Sequence, residues 1–188
     1  MSLADQYHLA GEHYEQLNGF SGEVQRDIFD GEWLDTSKSP GAVPMQGGAL
    51  GRAPAGATNE NSHYFTAERW YSTTEDLDPV IVKAAEAWDS WDWDVSEYSS
   101  ELSGNLRVQA ATPEGYYFQL KEGNDELRLT GSSPVYWANL DELQDAVVQR
   151  LEAEDVAGTV TWDATDRDDD DVGRRMPGEY RDFPAGDS

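Results

Sequence analysis

The chain has 188 residues and a formal charge of −25, from 38 Asp and Glu against 13 Lys and Arg. That charge repels nucleic-acid phosphate and anionic lipid, which excludes binding to DNA, RNA or an acidic membrane surface. The absence of cysteine excludes disulfides, thiolate metal sites and thiol nucleophiles. With 7 Trp, 9 Tyr and 5 Phe the chain is far richer in aromatics than an acidic disordered chain, so it should pack a core.

In chain order, Tyr7, Ala10, Tyr14, Leu17, Val24 and Ile28 repeat at helical spacing and predict a helix over 4–29. Gly19 and Ser21-Gly22 predict a kink within it or a division into two helices. Residues 35–62 hold Pro40, Pro44, Pro54 and many glycines, and read as a long loop with little regular structure. Residues 63–71 are aromatic-rich and read as a strand. Asp78-Pro79 opens a helix, with Asp as N-cap, and Ile81, Ala84, Ala85 and Trp88 form its apolar stripe. The helix should end near Trp91.

Trp93 and Val95 open a sheet region. Leu106-Val108-Ala110, Tyr116-Phe118-Leu120 and Leu127-Leu129 alternate with polar residues, separated by Pro113-Glu114-Gly115 and Gly123-Asn124. This pattern predicts an antiparallel meander with one buried and one wetter face. Asn139, followed by Glu142, caps a third helix bearing Leu140, Leu143, Val147 and Leu151. Gly158 stops that helix, and 159–162 read as a last strand. Residues 163–171 carry six Asp and one Arg, a self-repelling block expected to be solvated.

The fold class expected is therefore α+β, an antiparallel meander with two or three helices mainly on one face. Residues 1–162 are expected to form one domain, with 163–188 as an acidic tail. The expected core is Tyr14, Leu17, Ile28, Ile81, Ala84, Trp88, Leu106, Val108, Phe118, Leu120, Leu127, Leu129, Leu143, Val147 and Leu151.

Motifs with chemistry are scarce. A calcium loop begun at Asp163 would need Gly at 168 and an acid at 174, where the chain has Asp168 and Arg174. His8, Glu12 and Glu15 share a helical face, but the second His of a zinc motif is missing. No Gly-x-Ser-x-Gly elbow and no phosphate-cradling loop occurs; Gly131-Ser132-Ser133-Pro134 lacks the following helix. Paired carboxylates carry no signal in so acidic a chain. No cofactor, metal or catalytic residue is therefore assigned.

The segment Trp88-Asp89-Ser90-Trp91-Asp92-Trp93-Asp94 interleaves aromatics with acids. It is either a platform for a sugar or peptide ligand, or a packed helix–strand junction with Trp88 in the core. If an exposed binding patch exists, Trp91, Trp93, Trp70 and Tyr71 are its first candidates.

Four segments occur in order: Phe29-Asp30-Gly31-Glu32-Trp33, Asn61-Ser62-His63-Tyr64-Phe65, Ala111-Thr112-Pro113-Glu114-Gly115-Tyr116, and Leu127 through Trp137 (Leu-Arg-Leu-Thr-Gly-Ser-Ser-Pro-Val-Tyr-Trp). Together they resemble the LppA-like lipoproteins and related secreted proteins of actinobacteria. The resemblance implies an exported, often lipid-anchored α+β domain and supplies no site residues. A chain opening Met1-Ser2-Leu3 straight into helical sequence reads as one whose export signal has been removed, and the lipid-bearing Cys of the family is missing from it. No apolar run approaches the roughly 20 residues that span a bilayer.

The functional expectation is an extracellular or envelope-associated, non-catalytic binding or interaction module. Its partner would be a protein, peptide or glycan, and its only membrane attachment a lipid anchor. The alternatives are an intracellular acidic inhibitor, either a nucleic-acid mimic or an immunity-type protein, and an enzyme working through Asp or Glu alone.

Overall fold

The computed structural model describes residues 1–28, 33, 43–49, 52–72, 76–99, 106–123 and 126–156. Its elements in chain order are α1 (Leu3–Ile28), β1 (Met45–Gln46), a 3-10 turn (Gly47–Ala49), β2 (Ser62–Tyr64), β3 (Thr66–Ser72), α2 (Asp78–Ser90), β4 (Asp94–Ser99), β5 (Leu106–Ala111), β6 (Tyr117–Gly123), β7 (Glu126–Ser132), β8 (Tyr136–Trp137) and α3 (Leu140–Val156). The fold is α+β, with three helices and two antiparallel sheets among the described residues. No described helix is long and apolar enough to cross a membrane.

The described residues fall into two compact units. One takes those of 1–15, 39–65 and 135–156; the other takes those of 16–38 and 66–134.

The second unit is built on the five-stranded sheet β3-β7-β6-β5-β4. The expected meander is present as β5–β6–β7, with β4 added at one edge and β3 at the other. Alternation puts Val108, Ala110, Phe118, Leu120, Leu127 and Leu129 on one face, where they are buried. Against that face lie Val24 and Ile28 of α1 and Ile81, Ala84, Ala85 and Trp88 of α2, in one core cluster. Leu17 is fully buried as well. Leu106, at the start of β5, is only partly buried.

Three local expectations are corrected here. Residues 3–28 form one helix rather than two, unbroken at Gly19 and Gly22. Packing outweighs the glycines: Leu17, Ser21, Val24 and Ile28 are a buried stripe at helical spacing. Gly131 makes room for it, since a Cβ there would lie 2.8 Å from both Ser21 Oγ and Phe118 Cε1. The start of α2 differs too. Asp78 is its first helical residue, preceded by Leu77, which makes no side-chain cap. The Asp78 amide instead donates to Asp76 Oδ1 at 3.1 Å. Finally, the strand expected over 63–71 is two strands in different sheets, β2 and β3, parted at Phe65. Phe65 is fully buried, its ring 5.5 Å from Tyr14.

The first unit holds the small sheet β1-β2-β8. The expected long loop supplies β1 and the 3-10 turn. Gly47 and Gly48 permit the tight approach there: a Cβ on Gly48 would sit 2.5 Å from the Thr58 carbonyl carbon. The C-terminal end of the loop is tied by backbone bonds from Ala138 N to Asn61 O, 3.1 Å, and from Leu140 N to Glu60 O, 3.0 Å. Helix α3 follows Asn139 directly and buries Leu140, Leu143, Ala146 and Val147. Gln144 Nε2 donates to Pro44 O at 2.7 Å. The Leu151 side chain, the Gly158 stop, the strand at 159–162 and the acidic tail lie outside the described residues.

Candidate functional site

The second unit carries a cleft of about 480 Å³, lined by Phe20, Glu23, Val24, Asp27, Trp91, Trp93, Glu114 and Tyr116. Three separate pieces of chain supply these side chains.

Helix α1 supplies the first. Phe20, Glu23, Val24 and Asp27 occupy positions i, i+3, i+4 and i+7, which is one face of a helix. Val24 is buried and Phe20 half-buried, while Glu23 and Asp27 are exposed at the rim. Like charges four apart weaken a helix by about 0.2–0.5 kcal/mol, so the Glu23–Asp27 pair works against α1 itself.

The end of α2 supplies the second. Trp91 N donates to Ala87 O, Asp92 N to Asp89 O at 3.0 Å, and Trp93 N to Trp88 O at 3.2 Å. The last two bonds form a Schellman motif. Its left-handed residue is Asp92, at φ 61°, where glycine would be free of strain. The motif's apolar contact is Trp88 with Trp93, ring centroids 5.8 Å apart. This turn places Trp91 and Trp93 side by side at 5.0 Å, edge to face.

The β5–β6 turn supplies the third. Thr112 N donates to Tyr116 O and Gly115 N to Thr112 O, both at 2.9 Å. Tyr116 N donates to Thr112 Oγ1 at 3.3 Å. Gly115 takes φ 89°, as the turn demands. The exposed Glu114 sits at the tip and Tyr116 at the base.

The aromatic wall is continuous. Phe20 stands edge-on to Trp93 at 5.6 Å, to Tyr116 at 5.2 Å and to Phe118 at 5.2 Å. Trp93 in turn stacks on Phe118 at 5.4 Å, nearly parallel. The cleft thus joins a rigid aromatic wall to three rim carboxylates, with no Lys or Arg among its described lining residues. Aromatic faces and carboxylates both attract a cation, and a low-dielectric wall strengthens that attraction. Among the described residues no three His, Asp or Glu side chains gather as metal ligands.

Of the four aromatic residues singled out from sequence, the structure brings Trp91 and Trp93 together and leaves Trp70 and Tyr71 elsewhere. Both of the latter are on β3, the opposite edge of the sheet from β4. As neighbours on a strand they point to opposite faces. Tyr71 packs toward the core, 6.1 Å from Trp33. Trp70 lies on the wetter face under the Arg128 guanidinium, which sits 4.2 Å from its ring centroid. Trp88 is fully buried.

Sequence reading missed six cleft residues: Phe20, Glu23, Val24, Asp27, Glu114 and Tyr116. The i, i+3, i+7 spacing of Phe20, Glu23 and Asp27 was the available signal for the helical part. It also missed a basic row on the wetter sheet face. There Arg107 pairs with Lys121, and Lys121 with Arg128, as direct cross-strand neighbours. Arg128 also bonds Glu126 at 3.0 Å.

No family model, no curated protein and no solved structure matches this chain.

Proposed function

We propose that this chain is a non-catalytic binding module whose cleft takes a positively charged organic group, a substituted ammonium or guanidinium. The observation that carries the reading is the convergence of Glu23, Asp27 and Glu114 on a wall of Phe20, Trp91, Trp93 and Tyr116. A chain charge of −25 supports it by raising the local concentration of cations. Cation–π contact at a partly desolvated wall contributes about 1–2 kcal/mol, and the carboxylates add to it.

The cation could be a free small molecule or a Lys or Arg side chain of a peptide. Titration with tetramethylammonium, and separately with a Lys/Arg-rich peptide, followed by tryptophan fluorescence, distinguishes the two. Saturable binding that weakens roughly tenfold in both Trp91→Ala and Glu114→Gln fits the proposal, at about 1.4 kcal/mol per factor of ten. Binding of neither probe, or binding indifferent to both substitutions, rules the reading out.

An exported, envelope-associated location belongs to the same proposal. What supports it is the resemblance of the four segments to secreted actinobacterial lipoproteins. The intact mass of the protein in separated membrane, medium and cytosolic fractions tests it: an unprocessed chain confined to the cytosol overturns it.

A further inference from the structure

The side chains of the aromatic cleft offer faces and charge but few hydrogen-bond acceptors. The indoles of Trp91 and Trp93 can only donate, and Phe20 and Val24 do neither. Tyr116 brings a hydroxyl. The carboxylates of Glu23, Asp27 and Glu114 are exposed to water at the rim. None of the three enters an ion pair among the described residues, so their charge is not neutralised by a neighbouring Lys or Arg.

This scarcity separates one kind of organic cation from another. A primary ammonium carries three N–H donors and a guanidinium five. Laid against the aromatic wall, those donors lose water and find little to replace it, which costs affinity. A quaternary ammonium carries no N–H at all. It is held by the ring faces and by the Coulomb attraction of nearby carboxylates, and neither requires an aligned acceptor.

Ring geometry points the same way. Trp91 is inclined at 68° to Trp93, and Phe20 at 86° to Trp93 and 84° to Tyr116, with centroids 5.0 to 5.6 Å apart. Rings set so steeply to one another bound a corner, which suits a rounded cation touched from several sides. A flat guanidinium gains most by stacking on one open face with a carboxylate in reach. The same unit shows that arrangement elsewhere. The Arg128 guanidinium lies 4.2 Å from the Trp70 ring centroid, and its Nη2 donates to Glu126 Oε1 at 3.0 Å. In the cleft, Phe118 already covers Trp93 in a nearly parallel stack at 5.4 Å, which leaves no flat slot between them.

We propose that the cleft selects a quaternary, N-methylated ammonium group over ammonium and guanidinium. Its methyl groups rest against Phe20, Trp91, Trp93 and Tyr116, and the rim carboxylates supply the counter-charge. The inference rests on the cationic reading of this cleft and narrows it to one class of cation. A volume of about 480 Å³ lies within the ~300–1,000 Å³ of small-molecule sites, so the head group enters with part of the molecule that bears it. That head group occurs on free compounds such as choline and on trimethylated lysine in a peptide.

Titration of the full chain at constant ionic strength, followed by tryptophan fluorescence, tests the proposal with tetramethylammonium, methylammonium and methylguanidinium as probes. Tetramethylammonium should bind at least about tenfold more tightly than either of the others, a difference of about 1.4 kcal/mol. Choline should bind roughly tenfold more tightly than 3,3-dimethylbutanol, its uncharged carbon analogue. Trp91→Ala should weaken tetramethylammonium roughly tenfold. Should that variant fail to fold, Glu114→Gln at the exposed turn tip decides: it should weaken tetramethylammonium and leave 3,3-dimethylbutanol unchanged. A peptide bearing one trimethyllysine tells the sources apart. Binding tighter than choline assigns a peptide, the reverse assigns a free compound, and both fit the proposal. Methylammonium or methylguanidinium binding as tightly as tetramethylammonium overturns this inference and leaves the cleft a general cation site, as does an unmethylated peptide that matches the methylated one. Binding of no probe, or equal binding of 3,3-dimethylbutanol and choline, overturns the cationic reading itself and this inference with it.

Discussion

Replacing His63 with leucine should remove an acid-induced loss of stability from the wild-type chain. Burial holds the His63 imidazole at about 4, below its usual 6.5, and His13 nearby pushes the same way. A folded-state value below the unfolded one means that the unfolded chain takes up the proton first as pH falls. The group has almost no effect on stability above pH ~6.5, and its cost grows as pH falls from there to ~4. The gap, at about 1.4 kcal/mol per pH unit, amounts to about 3 kcal/mol when complete. About 2 kcal/mol of it falls between pH 7 and pH 4.5 by the same linkage. Acid also neutralises carboxylates in a chain of charge −25, which relieves self-repulsion and acts in the opposite direction. The decisive quantity is therefore a difference of differences. Urea unfolding of wild type and His63→Leu at pH 7 and pH 4.5 gives it, with His13 unchanged in both. Wild type should lose about 2 kcal/mol more than the variant on acidification. Equal losses would refute a buried, neutral His63.

Other outcomes follow from single contacts. Asp92→Gly relieves a left-handed residue at φ 61° and should raise the thermal midpoint, by about 1 kcal/mol of stability, whereas Asp92→Ala should not. Gly131→Ala drives a Cβ to 2.8 Å from Phe118 and Ser21. It should lower the urea midpoint by an amount equivalent to about 1–3 kcal/mol. Lys121→Gln removes the middle cation from between Arg107 and Arg128. It should raise stability, measured in urea, at about 0.2–1 kcal/mol for each like-charged neighbour. A loss instead would mean that Lys121 is held by an acidic group.

Much of the fold was legible in the sequence because period alone encodes it. The alternation at Leu106–Ala110, Tyr116–Leu120 and Leu127–Leu129 is a local pattern, and so are the stripes of α1, α2 and α3. Each buries a face that any compact arrangement would have to cover. Charge and the absence of cysteine likewise excluded whole classes of chemistry without reference to a fold. What local pattern could not show was where a stripe would be strong enough to override its glycines. That happened in α1, where Ser21 fits against Gly131, some 110 positions along the chain.

The sites depended on the tertiary structure almost entirely. Trp91 and Trp93 were visible as an aromatic pair, because the helix–strand junction that holds them is local. The carboxylates that give the cleft its chemistry come from α1 and from the β5–β6 turn, and only packing brings them there. Trp70 and Tyr71 looked equivalent on paper, yet strand geometry turns one to the wetter face and the other to the core. The basic row of Arg107, Lys121 and Arg128 exists only through strand register. His63 read only as the first residue of an aromatic-rich strand. Burial on the central strand of a small sheet left both of its ring nitrogens without a hydrogen bond, because the folded chain removes water from it and supplies no protein group in return.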